Sequence, residues 1–236
     1  MRLGMRWLTI ASSIYEIAMT DFKTLLQAFD QLLQPERFKD YGPNGLQVEG
    51  KRQIQKIVSG ADVLGAFTYT GTFEIHAAHY GAKSVLGIDI SESAVAQANK
   101  NAALNKLDHI VKFETMNAFD VLKTWGKEGR KYDVVMLDPP AFTKSRNSID
   151  KAITGYKEIN LRGMKMINSG GFLVTSSCTN LVSPELFLDT IDMAARDAKK
   201  RIRQVTYQSQ SSDHPIIWGM ENTHYLKFLI VEVCDR

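Results

Sequence analysis

Cysteine is scarce in this sequence, with Cys178 and Cys234 the two among 236 residues. Two thiols cannot build the disulfide framework of a small secreted domain, so a reducing, cytoplasmic setting is the expectation. Long apolar runs are missing too. No stretch approaches the ~20 apolar residues a membrane-spanning helix needs, and no membrane partner is expected. The opening stretch, Met1–Met19, has Arg2 and Arg6 ahead of Trp7-Leu8-Thr9-Ile10, but Glu16 interrupts it and no clean cleavage site follows. It reads as a weak amphipathic helix rather than an export signal. Charge of one sign is not concentrated anywhere: 29 basic against 26 acidic residues leave a net +3. That balance permits a nucleic-acid partner without arguing for one. Internal repeats, low-complexity tracts and paired histidines are absent, and no metal site is expected.

What is present divides unequally. From Thr20 to Gln34, Phe22, Leu25, Leu26, Phe29, Leu32 and Leu33 recur at spacings of three and four, with Thr20 as N-cap and Pro35 as terminator. That pattern predicts an amphipathic helix. Tyr41–Gly45 reads as a turn. After Ala61 short apolar runs alternate with helical stretches. Strands are expected at Val63–Phe67, Ser84–Asp89, Ile110–Glu114, Tyr132–Leu137 and Phe172–Ser176. Helix starts fall at Thr70, at Ser91 before Ala94–Leu104, and at Ser183-Pro184 before Glu185–Ala195. Two last runs, Arg203–Tyr207 and Tyr225–Val233, suit antiparallel edge strands. The expected fold is α/β: a doubly wound, mostly parallel seven-stranded sheet over residues 62–236, closed by an antiparallel C-terminal strand. Residues 1–61 form a short helical appendage.

In such a sheet, ligands bind beyond the carboxyl ends of the strands, where strand order reverses. The first strand runs into Thr68-Tyr69-Thr70-Gly71 and then a helix, whose free N–H groups favour an anionic group; Gly71 serves either close ligand approach or helix packing. Asp89 ends the second strand, 18 residues beyond Gly71. Its carboxylate can accept from two ribose hydroxyls or cap the next helix, although Ser91 already fills the capping role. Asn117 after the third strand suits an adenine amino group or a helix cap. The three-glycine loop of dinucleotide sites is missing, so a nucleoside cofactor without pyrophosphate fits, and S-adenosylmethionine is the commonest.

The fourth strand ends in Asp138-Pro139-Pro140-Ala141-Phe142. Proline cannot continue a ladder, so the pair turns the chain out of the sheet and leaves Asp138 at its lip. Asp138 is either a solvated turn residue or one held for chemistry, and Phe142 offers a stacking face. The fifth strand ends near Cys178, a small buried hydrophobe or a nucleophile. Together the two suit methylation of a pyrimidine at carbon 5. A thiolate adding to carbon 6 makes carbon 5 nucleophilic, and a carboxyl at the N3/N4 edge stabilises the developing charge. Cys234 reads as structural.

These residues carry a resemblance. Phe67-Thr68-Tyr69-Thr70-Gly71, Asp89, Asp138–Arg146, Gly155–Asn160, Ser177-Cys178, Asp213-His214-Pro215 and Tyr225-Leu226-Lys227 resemble, in order over about residues 62–233, the catalytic domain of RlmI-type large-subunit ribosomal RNA cytosine-5 methyltransferases. The resemblance implies a class I, Rossmann-like methyltransferase domain using S-adenosylmethionine. It implies that Thr68, Tyr69, Thr70, Gly71, Phe73, Asp89, Ile90, Asn117, Ala118, Asp138 and Pro139 hold the cofactor. Cys178 and Asp138 would be catalytic, and Phe142, Lys144 and Arg146 would meet RNA, the implied partner. Two positions depart from the family: Gly65 stands where Asp or Asn is usual, which removes one polar cofactor contact, and Asn117 stands where Asp is usual. The family's RNA-binding and hairpin domains have no counterpart ahead of this region, so weak, strongly salt-sensitive RNA binding and slow or absent turnover are expected. Instead, residues 21–60, through Phe38–Gly50, resemble the opening of NGG-interacting-factor-like dinuclear-metal proteins, without their metal ligands. Methylation of a base nitrogen, which Asp-Pro-Pro also serves, and a cofactor-binding remnant are the alternative functions.

Overall fold

Seven strands form one sheet in the order β3-β2-β1-β4-β5-β7-β6. The computed structural model describes residues 51–210, 214–220 and 223–236. The expectations for Met1–Met19, Thr20–Gln34, Tyr41–Gly45, the 21–50 part of the N-terminal resemblance, and Asp213 lie outside the described residues. In chain order the elements are α1 (Lys51–Val58), β1 (Asp62–Ala66), α2 (Thr72–His79), β2 (Ser84–Asp89), α3 (Glu92–Leu104), β3 (Val111–Thr115) and α4 (Ala118–Glu128). Then come β4 (Tyr132–Leu137), α5 (Ile149–Lys165), β5 (Ile167–Ser177), α6 (Pro184–Asp197), β6 (Lys200–Gln208) and β7 (Lys227–Asp235).

The first five strands are parallel, with β1 between β2 and β4. Successive side chains of a strand point to opposite faces, and here both faces are covered. On β4, Val134 and Met136 join the core beneath α1, α2 and α3, whereas Val135 and Leu137 join the core beneath α4, α5 and α6. Burial on both faces is why β1 and β4 read as continuous apolar runs, whereas β3 at the sheet's edge alternates. Each such side chain contributes ~1.5–3 kcal/mol by leaving water. Ile57 and Val58 of α1 also lie in this core, so the packed unit reaches upstream of residue 62.

Two helix starts follow the sequence. Ser91 Oγ accepts from the Ala94 N–H at 3.3 Å, and Ser183 Oγ accepts from the Leu186 N–H at 3.1 Å with Pro184 in the first turn. The start placed at Thr70 is corrected: α2 begins at Thr72, and Gly71 is its N-cap at φ 86° with no side-chain cap. The C-terminal pair is antiparallel, as expected, but β7 is not an edge strand. It sits between β5 and β6, and its residues from Lys227 to Val231 are all buried. The edge falls to β6. β5 begins at Ile167, well before the apolar run, because its pairing with β4 shifts between Tyr132/Ile167 and Val134/Phe172. The extra residues of that irregularity, Asn168-Ser169-Gly170-Gly171, hide the strand's start from a reading of apolar runs.

Candidate active site

The order reverses between β1 and β4, and the carboxyl ends of β1, β2, β4 and β5 converge there. The chain leaving β1 is tightly wound: Phe67 at φ 65°, Tyr69 at φ 47° and Gly71 at φ 86° all occupy the left-handed region. For Phe67 and Tyr69 that conformation costs of order 1–3 kcal/mol each and persists only where surrounding bonds over-determine it. They do. The N–H groups of Phe67 and Thr68 both donate to the Ile88 carbonyl, at 2.9 and 3.2 Å, and the Gly71 N–H donates to the Thr68 carbonyl at 2.8 Å. Asn101 Nδ2 donates to the Thr70 carbonyl at 3.0 Å. Glycine is required at 71 on two counts, since a Cβ there would also lie 2.3 Å from the Phe113 ring.

Asp89, at the end of β2, holds both this loop and the next helix. Its Oδ2 accepts from the Tyr69 N–H and its Oδ1 from the Ser91 N–H, each at 2.9 Å. A carboxylate has about four acceptor sites, so two remain for a pair of hydroxyls. Ser91 carries the cap of α3, which leaves that role closed to Asp89. Asn117 does take the capping role: its Oδ1 accepts from the Phe119 N–H at 3.0 Å at the start of α4.

Across the reversal, Asp138 follows β4. It is open to the cleft on one side and enclosed by protein on the others. Burial pushes its pKa up, against a hydrogen bond from Ser176 Oγ that pulls it down. Cys178 follows β5 and is a free, half-buried thiol. Burial raises its pKa most, and the nearby Asp138 carboxyl raises it further. Its own and Ala141's backbone N–H groups and the Lys227 cation pull the other way. The balance keeps a thiol, not a thiolate, at neutral pH. Lys227 is fully buried, with Nζ donating to the Thr179 carbonyl at 2.7 Å and the Tyr225 carbonyl at 2.8 Å. Burial pushes its pKa down to about 8. It straps the Cys178 loop to β7, and the Tyr156 hydroxyl bonded to Thr179 Oγ1 at 2.8 Å fixes that loop from α5.

A cavity of about 720 Å³ joins these strand ends, within the range of small-molecule sites. Of the residues expected from sequence, Tyr69, Phe73, Asp89, Ile90, Asn117, Ala118, Asp138, Pro139, Phe142 and Cys178 line it. Thr68, Thr70 and Gly71 do not; they shape the loop behind the wall. Lys144 and Arg146 stand outside it, exposed on the loop before α5. That loop is ordered by Thr143 Oγ1, which donates to the Ser145 carbonyl at 2.8 Å and accepts from its N–H at 3.0 Å. Phe142 packs on Tyr156 with ring centroids 4.5 Å apart, and Phe67 and Phe119 surround it. Sequence reasoning missed Phe119, Ser176 and Phe228 on the wall, and named Phe67, Pro140 and Leu226 within motifs without giving them a site role. A hydroxyl one strand over from the Asp-Pro-Pro turn was the available signal for Ser176.

The donor set fits S-adenosylmethionine: spare acceptors on Asp89 for ribose, apolar surface for an adenine, and acidic groups with no ion-pair partner among the described residues for a cationic centre. Comparisons with known proteins agree. The sequence profile of the S-adenosylmethionine-dependent methyltransferases matches residues 37–216. The ribosomal RNA large subunit methyltransferase I of Shewanella frigidimarina is 38% identical over 79% of this chain. The match covers 47% of that relative, so the chain spans about half the length of the curated relatives it matches. Among solved structures, a chain described as a SAM-dependent methyltransferase from Streptococcus mutans superposes with TM-score 0.68 at 22% identity, covering 79% of this chain and 48% of that one. Another methyltransferase, solved in complex with SAH, gives TM-score 0.66 at 22% identity, covering 79% of this chain and 50% of that one. The strand order, the cavity at the reversal and the profile match together show that the chain belongs to the S-adenosylmethionine-dependent methyltransferase family.

Proposed function

We propose that the chain methylates carbon 5 of a cytosine in large-subunit ribosomal RNA through a covalent bond between Cys178 and ring carbon 6. The observation that carries this reading is that Cys178 and Asp138, from neighbouring strand ends, open onto the same cavity as the cofactor-side residues. The names of the related ribosomal RNA methyltransferases support the choice of RNA.

Bound S-adenosylmethionine supplies an electrophilic methyl group on a sulfonium. Asp89 orients the nucleoside end through its two remaining acceptor sites, and Phe142 offers a ring face to the target base. Cys178 Sγ gives its proton to solvent water and adds to carbon 6, and the ring's electron pair moves to carbon 5. Asp138, whose pKa burial pushes up, donates from its protonated form to N3 and stabilises the charge developing there. Once carbon 5 has gained the methyl group it gives its proton to solvent water, N3 returns its proton to Asp138, the S–C6 bond breaks, and the ring regains its aromaticity with the thiolate restored.

One observation favours a second reading. Cys178 rests as a thiol, and methylation of a base nitrogen would use Asp138 without it. RNA carrying 5-fluorocytosine separates the two, because fluorine cannot leave carbon 5 as a proton does and the adduct persists. The cytosine-5 reading expects a covalent protein–RNA band that Cys178→Ala abolishes. Methyl transfer that survives Cys178→Ala establishes the nitrogen reading instead.

A further inference from the structure

We propose that Glu74 is the counter-charge for the cationic cofactor, supplied by α2 beneath Gly65, and that it releases a proton when the cofactor binds. The proposal rests on reading the cavity as the S-adenosylmethionine site.

The geometry ties Glu74 to Gly65 at the head of β1. A Cβ built on Gly65 would lie 1.9 Å from Glu74 Oε1 and 2.6 Å from its Cδ. The glutamate carboxyl therefore fills the volume that a side chain on β1 would take, between β2 at Gly87 and β4 at Met136. It is 3% exposed, and its Oε2 has no hydrogen-bond partner. An ionised carboxylate left so would be far costlier than a neutral one. Burial accordingly pushes its pKa up to about 8, with Asp138 and Asp89 adding repulsion and its own backbone N–H opposing.

The charge balance says what is missing. Asp89 on β2 and Asp138 after β4 are the two charged groups that act on Glu74 from the neighbouring elements. Among the described residues, none of the three carboxyls has a Lys, Arg or His within ion-pair distance. No cluster among the described residues suits a metal ion either. Asp89 and Asp138 line the cavity and Glu74 lies behind its wall within electrostatic reach of both. Three acids so placed, with no cation paired to them among the described residues, suit a ligand that brings one. S-adenosylmethionine carries an ammonium and a sulfonium against a single carboxylate. Their arrival favours the ionised form of Glu74, so binding and deprotonation are linked.

Calorimetry of S-adenosylmethionine binding between pH 6.0 and 7.0, in two buffers of different ionisation enthalpy, tests this. At those pH values the ligand's own ammonium stays charged. Wild type should release close to one proton and gain about tenfold in affinity over that unit of pH. Glu74→Gln, which has the shape of the protonated side chain, should bind more weakly with a flat pH dependence and no Glu74-linked proton. If Glu74→Gln fails to fold, the paired variant Glu74→Ala with Gly65→Asn moves the polar group onto β1. It should bind without proton release, whereas Gly65→Asn alone should melt lower because of the clash. Undiminished proton release in Glu74→Gln or in the paired variant overturns the assignment, as does wild-type binding with no proton release. Wild type that binds no S-adenosylmethionine at any pH removes the cofactor reading itself, and this assignment with it.

Discussion

Replacing Asp89 by alanine should separate cofactor affinity from folding more clearly than any other single change. The carboxylate now accepts from the Tyr69 and Ser91 N–H groups at 2.9 Å each, and under the proposed function its two remaining acceptor sites take ribose hydroxyls. Hydrogen bonds to a charged group contribute ~1.5–3 kcal/mol each. Losing two to the ligand costs about 3–6 kcal/mol, so even the low end weakens binding roughly 100-fold. The loop adds to this, because Tyr69 at φ 47° loses one of the bonds that holds it there. The fold should survive, since Ser91 still caps α3 and the core is untouched. Titration of Asp89→Ala with S-adenosylhomocysteine, beside a circular-dichroism melt, measures both quantities. Asp89→Asn, which keeps an acceptor for one backbone N–H but meets ribose with a weaker dipole, should fall between. A folded Asp89→Ala protein within threefold of wild-type affinity would show that the residue only ties the loop.

Gly71→Ala forces a side chain into left-handed backbone and against Phe113, and should cost about 2–4 kcal/mol by chemical denaturation. Trapping on 5-fluorocytosine RNA should keep accelerating with pH through the ordinary thiol range, because burial and Asp138 raise the Cys178 pKa and the thiolate is the nucleophile; a rate that levels off below pH 8 would contradict that environment. Lys227→Met removes the donor to the Thr179 and Tyr225 carbonyls, and should lower trapping at Cys178 far more than cofactor affinity, measured side by side. Glu74 binds its proton more tightly folded, at about 8, than unfolded. The unliganded fold should therefore lose stability as pH rises from the ordinary carboxyl range to about 8, by ~2–4 kcal/mol. Melting Glu74→Gln over the same window should show that slope removed.

How much of this was legible in the sequence depended on whether a feature was local. β2 and β4 stand where the apolar runs put them, because burial on both faces leaves no polar alternation to blur their ends. Ser91 and Ser183-Pro184 cap their helices through bonds spanning three residues, which sequence spacing can see. Asp89, Asp138 and Cys178 could be singled out because such a fold delivers strand ends to one place, and all three line one cavity. The failures are non-local. β7 looked like an edge strand until β6 paired outside it, and its unbroken burial from Lys227 to Val231 was the overlooked signal. Gly65 read as the loss of a polar contact, and what sequence could not show is that the carboxyl of Glu74 fills that space from a helix. No spacing rule connects those two positions, which meet only when α2 packs on β1. Lys144 and Arg146 remain exposed outside the cavity, where only RNA can test their role.

The central claim is that the chain holds S-adenosylmethionine where its strand order reverses. Equilibrium dialysis of the purified protein against radiolabelled S-adenosylmethionine tests it most directly. One saturable equivalent per chain, displaced by S-adenosylhomocysteine and lost in Asp89→Ala, is the expected result. No saturable binding by the folded wild-type protein, or binding that Asp89→Ala leaves unchanged, would contradict it.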